Sequence, residues 1–236
     1  MSTKKLARIL KNIRKTLVFT GAGLSTGSGI PDFRGPEGVW KTQRPVYYNE
    51  FMNSHKARVR HWNYKLENWH HFRNAQPNVA HRALYELDKM GRVDAIVTQN
   101  IDGLHQLAGH PDDRVIELHG TNQAVECQSC GKRSNPNPIF LKFEQMHDPP
   151  ICKCGGFLKP ATVSFGQTMP QTELHRAFEA TGRAELVLTI GSTLEVEPAA
   201  SIPRTAKEQG AYYVIINRGP TAQDHLADLR LEGNAT

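Results

Sequence analysis

Long hydrophobic runs, internal repeats and low-complexity tracts are missing from this sequence. No apolar stretch approaches the roughly 18 residues that a membrane-spanning helix needs, so we expect no membrane span. The basic start is not followed by an apolar segment, which argues against a secretory signal. Without a repeat of about 20–50 residues, solenoid architectures are excluded. Motifs typical of nucleic-acid binding are absent as well, so we expect no specific nucleic-acid partner.

Acidic residues are missing from the first fifteen positions of a chain whose formal net charge is +6. Basic residues are frequent there: Lys4, Lys5, Arg8, Lys11, Arg14 and Lys15. Apolar residues recur between them at helical spacing, at Leu6, Ile9, Leu10 and Ile13. This pattern predicts an amphipathic first helix with its apolar face turned inward. A weak attraction to acidic surfaces, DNA included, is the alternative interpretation.

Cysteine is scarce, and the four that occur share one short segment. They form the pairs Cys127-x-x-Cys130 and Cys152-x-Cys154, with 21 residues between the pairs. Two close pairs in a loop-rich segment are typical of a tetrahedral four-thiolate zinc site. Since sulfur fills all four positions, we expect one structural zinc ion. Clustered thiols rather than disulfides favour a reducing compartment, and we predict a cytoplasmic location.

The apolar runs that are present are short and predict an α/β fold. A chain of 236 residues, 39% of them apolar, suffices for one large domain with a smaller inserted lobe. Buried parallel strands are predicted at Thr16–Thr20, Asp94–Thr98, Val115–Leu118, Leu186–Ile190 and Tyr212–Ile216. Helices are predicted at Ala80–Lys89, Thr172–Ala180 and Pro198–Gln209. The alternation indicates a doubly wound, Rossmann-like parallel sheet.

Two segments interrupt this alternation. Residues 35–75 are rich in aromatics and histidine, and residues 121–159 hold the cysteines and many prolines. We interpret them as a helical insertion and a zinc-binding module, which together form a small lobe. Residues 1–34, 76–120 and 160–236 then form the Rossmann-like domain, and a substrate cleft is expected between the lobes.

Polar or glycine-rich residues follow the predicted strands, at the edge where open parallel sheets bind ligands. The glycines that follow the first strand would let backbone amides approach a pyrophosphate at a helix N-terminus. The third glycine falls one place late for a dinucleotide fingerprint, so a plain turn is the alternative. An aromatic residue and a guanidinium follow shortly after, where Phe33 would shield a sugar carbon and Arg34 would clamp a phosphate.

At these positions the sequence resembles the sirtuin family. The segment from Gly21 to Arg34 is similar to the sirtuin signature, with Ser25 and Ser28 in register. Further segments are similar to sirtuin motifs and occur in the family's order: Thr98 to His105, Glu117 to Gly120, Lys159 to Gly166, and Gly191 to Leu194.

The resemblance implies an NAD-dependent protein-lysine deacylase that releases nicotinamide and O-acyl-ADP-ribose. It implies His119 as the base, and Asn100 as the residue that orders the ribose and a water. The implied NAD contacts are Gly21, Ala22, Gly23, Ser25, Asp32, Phe33, Arg34, Gln99, Asn100, Ile101, Asp102, Gly191, Ser192, Thr193, Asn217, Arg218 and Ala235. Acylated lysine in a protein or peptide would lie against Val163, Phe165 and Gly166. NAD hydrolysis or mono-ADP-ribosyl transfer is the alternative activity, and a non-catalytic NAD-binding module is the alternative class.

The resemblance also bears on the acyl group. Sirtuins that remove succinyl or malonyl groups carry Tyr-x-x-Arg on a small-lobe helix. Counting back from Pro77, those positions hold Asn63 and Leu66, so we expect no cation for an acidic acyl group and no desuccinylation. The small-lobe residues Arg60, Trp62, Trp69 and Phe72 are instead similar to class II, lipoamidase-like sirtuins, which favours uncharged acyl groups. Packing of these aromatics in the small-lobe core is the alternative. Gln167 stands where the family usually has Glu.

Overall fold

The structure is a computed structural model, and it describes residues 2–32, 38 and 44–233. Phe33, Arg34 and Ala235 lie outside the described residues, so the sequence-based assignments for these three positions stay predictions.

All five predicted strands and all three predicted helices are present, and most of their ends agree within one residue. The helices are α1 (Ser2–Asn12), α2 (Tyr48–Asn53), α3 (His55–Asn74), α4 (Val79–Lys89), α5 (Leu104–Ala108), α6 (Pro136–Met146), α7 (Gln171–Thr181) and α8 (Ser201–Glu208). The strands are β1 (Thr16–Thr20), β2 (Val93–Thr98), β3 (Val115–Glu117), β4 (Gly120–Cys127), β5 (Arg133–Ser134), β6 (Leu158–Thr162), β7 (Leu186–Ile190), β8 (Tyr212–Asn217) and β9 (Leu229–Glu232). Helix α8 begins later than predicted because residues 197–200 form a turn.

The main sheet has the strand order β3-β2-β1-β7-β8-β9, and all its pairs are parallel. The chain runs outward in one direction from β1 and in the other from β7, which is the doubly wound topology predicted from the sequence. In such sheets the ligand crevice opens beyond the carboxyl ends of the two strands where the direction changes. Here that point lies between Thr20 and Ile190.

Both faces of the sheet are covered by helices, which explains the unbroken apolar runs of its strands. Along β1, Leu17 and Phe19 face one core cluster and Val18 faces the other, since side chains alternate along a strand. The predicted apolar face of α1 packs onto the second cluster through Leu6, Ile9, Leu10 and Ile13. The basic side chains of this helix remain exposed, as its amphipathic pattern predicted.

The small lobe combines α2, α3 and α6 with an antiparallel sheet of order β5-β4-β6. Its core is aromatic: the Trp69 ring stacks on Phe140 at 4.2 Å, and Trp62 meets Phe140 edge-on at 5.1 Å. This sheet begins at Gly120 and ends at Thr162, so it slightly exceeds the predicted module 121–159. None of the helices that the structure describes has both the length and the apolar character to cross a bilayer.

Candidate active site

A cleft of about 1350 Å³ opens at the carboxyl edge of the main sheet and extends to α3 of the small lobe. Most of the predicted site residues that the structure describes line it. These are Ala22, Gly23, Asp32, Gln99, Asn100, Ile101, His119, Val163, Phe165, Gly166, Gly191, Ser192, Thr193, Asn217 and Arg218. Residues that are up to 196 positions apart in the chain therefore meet in one cavity, because parallel strands deliver them to the same edge.

The glycines at this edge allow two backbone turns to pack against each other. The amide of Gly23 donates to the carbonyl of Gly191 at 2.9 Å, and a Cβ on Gly23 would lie 2.8 Å from the Gly191 Cα. Gly21 is equally confined, since its Cβ would lie 2.7 Å from the same carbonyl oxygen. The helix expected after the turn is replaced by two short 3-10 turns, Ala22–Leu24 and Thr26–Ser28. Close backbone packing, which the sequence did not indicate, is thus one reason for these glycines.

Asn100 follows β2, and two hydrogen bonds from its side-chain nitrogen fix it in place. Its Nδ2 donates to the Gly21 carbonyl and to the Ser25 hydroxyl, both at 3.1 Å. Ser25 in turn donates to Asp102 Oδ2 at 2.7 Å, and the Leu104 amide donates to Asp102 Oδ1. Burial raises the pKa of Asp102 in spite of these donors. Ser25 and Asp102 lie behind the cleft wall, and Asp102 borders a second cavity, so its predicted contact with NAD stays a prediction.

His119 follows β3 and faces the cleft. Its Nδ1 lies 3.0 Å from the Gln99 carbonyl oxygen, which can only accept, so Nδ1 carries the hydrogen and Nε2 is the basic nitrogen. The carbonyl of His119 accepts from the Val163 amide at 2.8 Å, which ties the histidine to the segment after β6. The Gln99 side chain donates to the Ser192 hydroxyl at 2.8 Å. The imidazole is therefore oriented by the backbone that follows the neighbouring strand β2.

The segment after β6 forms the wall opposite the sheet edge. Phe165 is partly exposed, its ring lies 5.8 Å from that of Tyr47, and its carbonyl accepts from the Tyr48 amide. Gln167, the departure from the family pattern, accepts from the Ser164 amide at 3.1 Å through its Oε1. The Gln167 side chain therefore stabilises the turn to which it belongs.

The four cysteines form the predicted metal-binding arrangement in the small lobe. Their sulfur atoms all lie within 4.8 Å of one another, with Cys127–Cys154 at 3.5 Å and Cys130–Cys152 at 3.9 Å. A tetrahedral zinc ion with Zn–S bonds of about 2.3 Å needs sulfurs about 3.8 Å apart, so the set fits. Backbone amides of Cys130 and Ser129 lower the pKa of Cys127 to about 6, which favours the thiolate that zinc binds.

The class II-like aromatics take the alternative role that the sequence analysis left open. Trp62 and Trp69 are buried in the small-lobe core, and Phe72 packs against Ile30, Ala75 and Leu104. Arg60 does line the cleft, and it pairs with Glu50 at 3.5 Å.

Among the basic residues of α3 that line the cleft, His61 and Lys65 were not predicted from the sequence. Their spacing of four residues on a helix was the available signal, because it places both on one face beside the buried face of Trp62 and Trp69.

The comparisons with known proteins agree with this arrangement. The Sir2 family model matches residues 21–198. The chain is similar to an NAD-dependent protein deacetylase of Rhodopseudomonas palustris, with 44% identity over 227 residues that cover 96% of this chain and 90% of the relative. It is 42% identical over 231 residues to a Sulfurisphaera tokodaii protein of the same name, covering 97% and 90% of the two chains.

Solved structures are similar over the whole chain as well. A Sir2 complex with a p53 peptide and NAD+ has a TM-score of 0.90 and 36% identity, and the match covers 100% of this chain and 94% of that one. A Sir2 protein bound to a propionylated peptide has a TM-score of 0.88 and 35% identity, with the same coverage. With its family signature, its relatives and its fold in agreement, the chain belongs to the Sir2 family.

Proposed function

We propose that this protein is an NAD-dependent protein-lysine deacylase. The observation that carries the proposal is the meeting of Asn100, His119 and the segment around Val163 in one cleft, at the point where the sheet changes direction. The relatives named as deacetylases and the Sir2 complexes with NAD or acylated peptide support the same assignment.

The overall reaction transfers the acyl group from lysine to a sugar hydroxyl. NAD+, acyl-lysine and water yield nicotinamide, O-acyl-ADP-ribose and protonated lysine, with no net oxidation or reduction. His119 serves as the general base: its Nε2 accepts the proton of a ribose hydroxyl, while the Gln99 carbonyl holds Nδ1–H and fixes the tautomer. Asn100 orients the ribose and a water from the place where Gly21 and Ser25 hold its amide.

The two substrates enter the cleft from different walls. NAD lies along the sheet edge, against Ala22, Gly23, Asp32, Gln99, Asn100, Ile101, Gly191, Ser192, Thr193, Asn217 and Arg218. Gly21, Ser25 and Asp102 support that wall from behind, and Phe33, Arg34 and Ala235 complete the proposed set. The acylated peptide lies against Val163, Phe165 and Gly166, where the partly exposed Phe165 ring offers apolar contact.

The zinc ion held by Cys127, Cys130, Cys152 and Cys154 has a structural role, since a four-sulfur set leaves no coordination position for substrate. We retain the division into a Rossmann-like domain, a helical insertion and a zinc module as part of the proposal. The cytoplasmic location is also proposed, because all four cysteines serve one thiol cluster and none is in a disulfide.

Nicotinamide release with and without an acetyl-peptide tests the function. We expect release that depends on the peptide, together with O-acetyl-ADP-ribose detected by mass spectrometry. Release without peptide would indicate an NAD glycohydrolase, and no release would indicate a binding module. His119→Ala should lower turnover at least about 100-fold, the usual contribution of a general base. His175→Ala, on the exposed surface of α7, is the matched control and should retain full activity.

A further inference from the structure

The last residues of β1 and β2 are a pair of buried threonines, Thr20 and Thr98. They lie opposite each other in the parallel register, and neither is more than 2% exposed. The Thr20 hydroxyl donates to the Thr98 hydroxyl at 2.8 Å. The residues that follow Thr98 line the cleft, so this contact between two hydroxyls lies directly below the candidate active site.

These two threonines also hold the turn formed by Gln99 and Asn100. The Asn100 amide donates to the Thr98 hydroxyl at 3.0 Å, a local side chain–backbone bond of the kind that stabilises turns. The Gln99 amide donates to the Thr20 carbonyl, also at 3.0 Å. The turn presents two groups of the proposed site: the Gln99 carbonyl that holds His119 Nδ1, and the Asn100 side chain. The bonds to the two threonines therefore help to set the position of both groups.

His105 on α5 extends this chain of hydrogen bonds away from the cleft. Its Nε2 lies 3.0 Å from the Thr20 hydroxyl oxygen. Since the hydrogen of that hydroxyl is donated to Thr98, the oxygen accepts from the imidazole, and Nε2 of His105 carries the hydrogen. Burial lowers the pKa of His105 well below its usual value, so the imidazole is neutral at pH 7. His105 is therefore a hydrogen-bond donor to Thr20 and carries no charge.

The packing around His105 leaves its ring little freedom to move. The residue is buried, and its ring meets those of His81 and His110 edge-on, at 5.2 Å and 5.8 Å. His110 is itself held by Asp88 of α4, to which its Nδ1 donates at 2.8 Å. Among the described residues, Nδ1 of His105 has no hydrogen-bond partner, so its ring is committed to Thr20 alone. A rigid donor of this kind can hold the hydroxyl of Thr20 in one orientation.

We propose that His105 is a positioning residue for deacylation, because the hydroxyls of Thr20 and Thr98 transmit its position to the turn that enters the cleft. This inference rests on the proposed deacylase function and assigns a further residue to that site. His105 does not line the cleft, so it acts through the two threonines and not on a substrate. Loss of its hydrogen bond leaves the Thr20 hydroxyl free to rotate away from Thr98. The Asn100 amide then shares its acceptor with no fixed neighbour, and the turn loses its single conformation.

The test measures steady-state deacylation of an acetyl-peptide, well below the melting temperature of every variant. Thr98→Val removes the acceptor of the Asn100 amide with little change in volume, and kcat should fall at least about tenfold, since small misplacements of reacting groups are costly. Thr20→Val and His105→Leu should lower kcat in the same way. The KM for the peptide should stay within about twofold of the wild type, because the peptide wall after β6 is not part of this chain of bonds. His105→Gln places an amide nitrogen where Nε2 lies and should retain most of the wild-type kcat.

Thr16 offers a matched control on the same strand. It is the first residue of β1, it is buried, and its hydroxyl has no hydrogen-bond partner among the described residues. Thr16→Val makes the same chemical change as Thr20→Val and should alter neither kcat nor KM. The double variant His105→Leu/Thr20→Val should lose no more activity than the more severe of its two single variants, because both changes break the same chain of hydrogen bonds.

NMR of the wild type tests the direction of this chain without any measurement of activity. The 15N shifts of histidine-labelled protein should show His105 with its hydrogen on Nε2 at pH 7, and Thr20→Val should shift that resonance more than Thr16→Val does. A hydrogen on Nδ1 of His105 would overturn the inference, because Nε2 could then not donate to Thr20.

Contrary kinetic outcomes are distinguishable. If His105→Leu lowers the melting temperature but keeps the wild-type kcat, or if His105→Gln loses as much kcat as His105→Leu, the inference is overturned and the deacylase function stands. The same holds if Thr20→Val or Thr98→Val retains full kcat, and these two variants decide the matter should His105→Leu not fold. If the wild type turns over no acyl-peptide, the proposed function fails together with this inference.

Discussion

The Ser25 hydroxyl donates to the Asp102 carboxylate at 2.7 Å and accepts from the Asn100 amide at 3.1 Å. This one hydroxyl therefore joins the turn after β1 to two residues after β2. Ser25 is fully buried and Asp102 is 4% exposed, so neither group can exchange its partner for bulk water. The position of Asn100 in the cleft depends on this contact behind it.

Ser25→Ala should impair both stability and activity. Removal of the hydroxyl leaves the buried Asp102 with one donor fewer and Asn100 with one acceptor fewer, which should lower the free energy of unfolding by about 1–3 kcal/mol. Because Asn100 loses orientation, deacylation kcat should fall while KM for the peptide changes little. Urea denaturation and steady-state kinetics measure the two effects. Thr172→Ala, which removes an exposed hydroxyl on α7, is the control; equal behaviour of the two variants would contradict the prediction.

Gly120→Ala should displace His119. Gly120 has a φ of +70°, and a Cβ there would lie 2.1 Å from the Ala161 carbonyl oxygen, so the backbone next to the base must move. Gly91 offers a matched control, since its φ is +66° but no described atom lies within 4 Å of the added Cβ. We expect Gly91→Ala to lower the free energy of unfolding by about 1 kcal/mol and to leave kcat intact. Gly120→Ala should cost more than this and lower kcat at least about tenfold. Similar melting temperatures and rates for the two variants would refute the backbone clash.

Zinc removal should unfold the small lobe. Cys127 is 1% exposed and packs in the same core cluster as Trp62, so loss of the metal disturbs that core directly. Metal analysis should find one zinc per chain, and Cys127→Ala should lose it. Structural zinc sites supply on the order of 10 kcal/mol of folding free energy, so chelation should lower the melting temperature and abolish activity. Added zinc should restore both in the wild type but not in the variant. Retained activity of a zinc-free wild type would contradict a structural role.

Acid should weaken the fold through buried histidines. Burial lowers the pKa of His81 to about 4 and that of His105 well below its usual value. Their rings lie 5.2 Å apart, and each keeps one buried nitrogen without a partner among the described residues. The unfolded chain binds protons at these histidines near pH 6.5, whereas the folded chain does not. The stabilisation is therefore complete above about pH 6.5 and is lost as the pH falls toward 4, on the order of 3 kcal/mol for His81.

Urea denaturation between pH 7.5 and 4.5 measures this loss. His81→Gln should flatten the pH dependence of the unfolding free energy relative to the wild type. His175→Gln, at an exposed position on α7, should leave it unchanged. Acid also protonates the zinc thiolates in every variant. The contribution of His81 is therefore the difference between the two variants in the pH dependence of the unfolding free energy. The same pH dependence of the unfolding free energy in both variants would contradict the role assigned to His81.

The strands of the main sheet could be predicted from the sequence, because strands that are buried on both faces consist of continuous apolar runs. β1 and β7 were predicted to the residue for this reason. The edge strand β9 was not predicted, since only Leu231 of its four residues is buried and the strand forms no such run. The metal site could likewise be predicted from the cysteine pairs, because the spacing of metal ligands is a local property of the chain.

The roles within α3 were decided only by the tertiary structure. Helical spacing places Trp62 and Trp69 on one side and His61 and Lys65 on another, but it does not tell which side meets the cleft. That depends on how α3 is rotated between α6 and β6, two elements that come more than 60 positions later in the chain. The sequence by itself determined the strands of the sheet, the motifs that follow them and the zinc ligands, because each of these is a pattern of residues that are close together in the chain. Only tertiary packing could place Lys65 against the cleft and the tryptophans in the core, because the free energy of burial depends on contacts between distant segments.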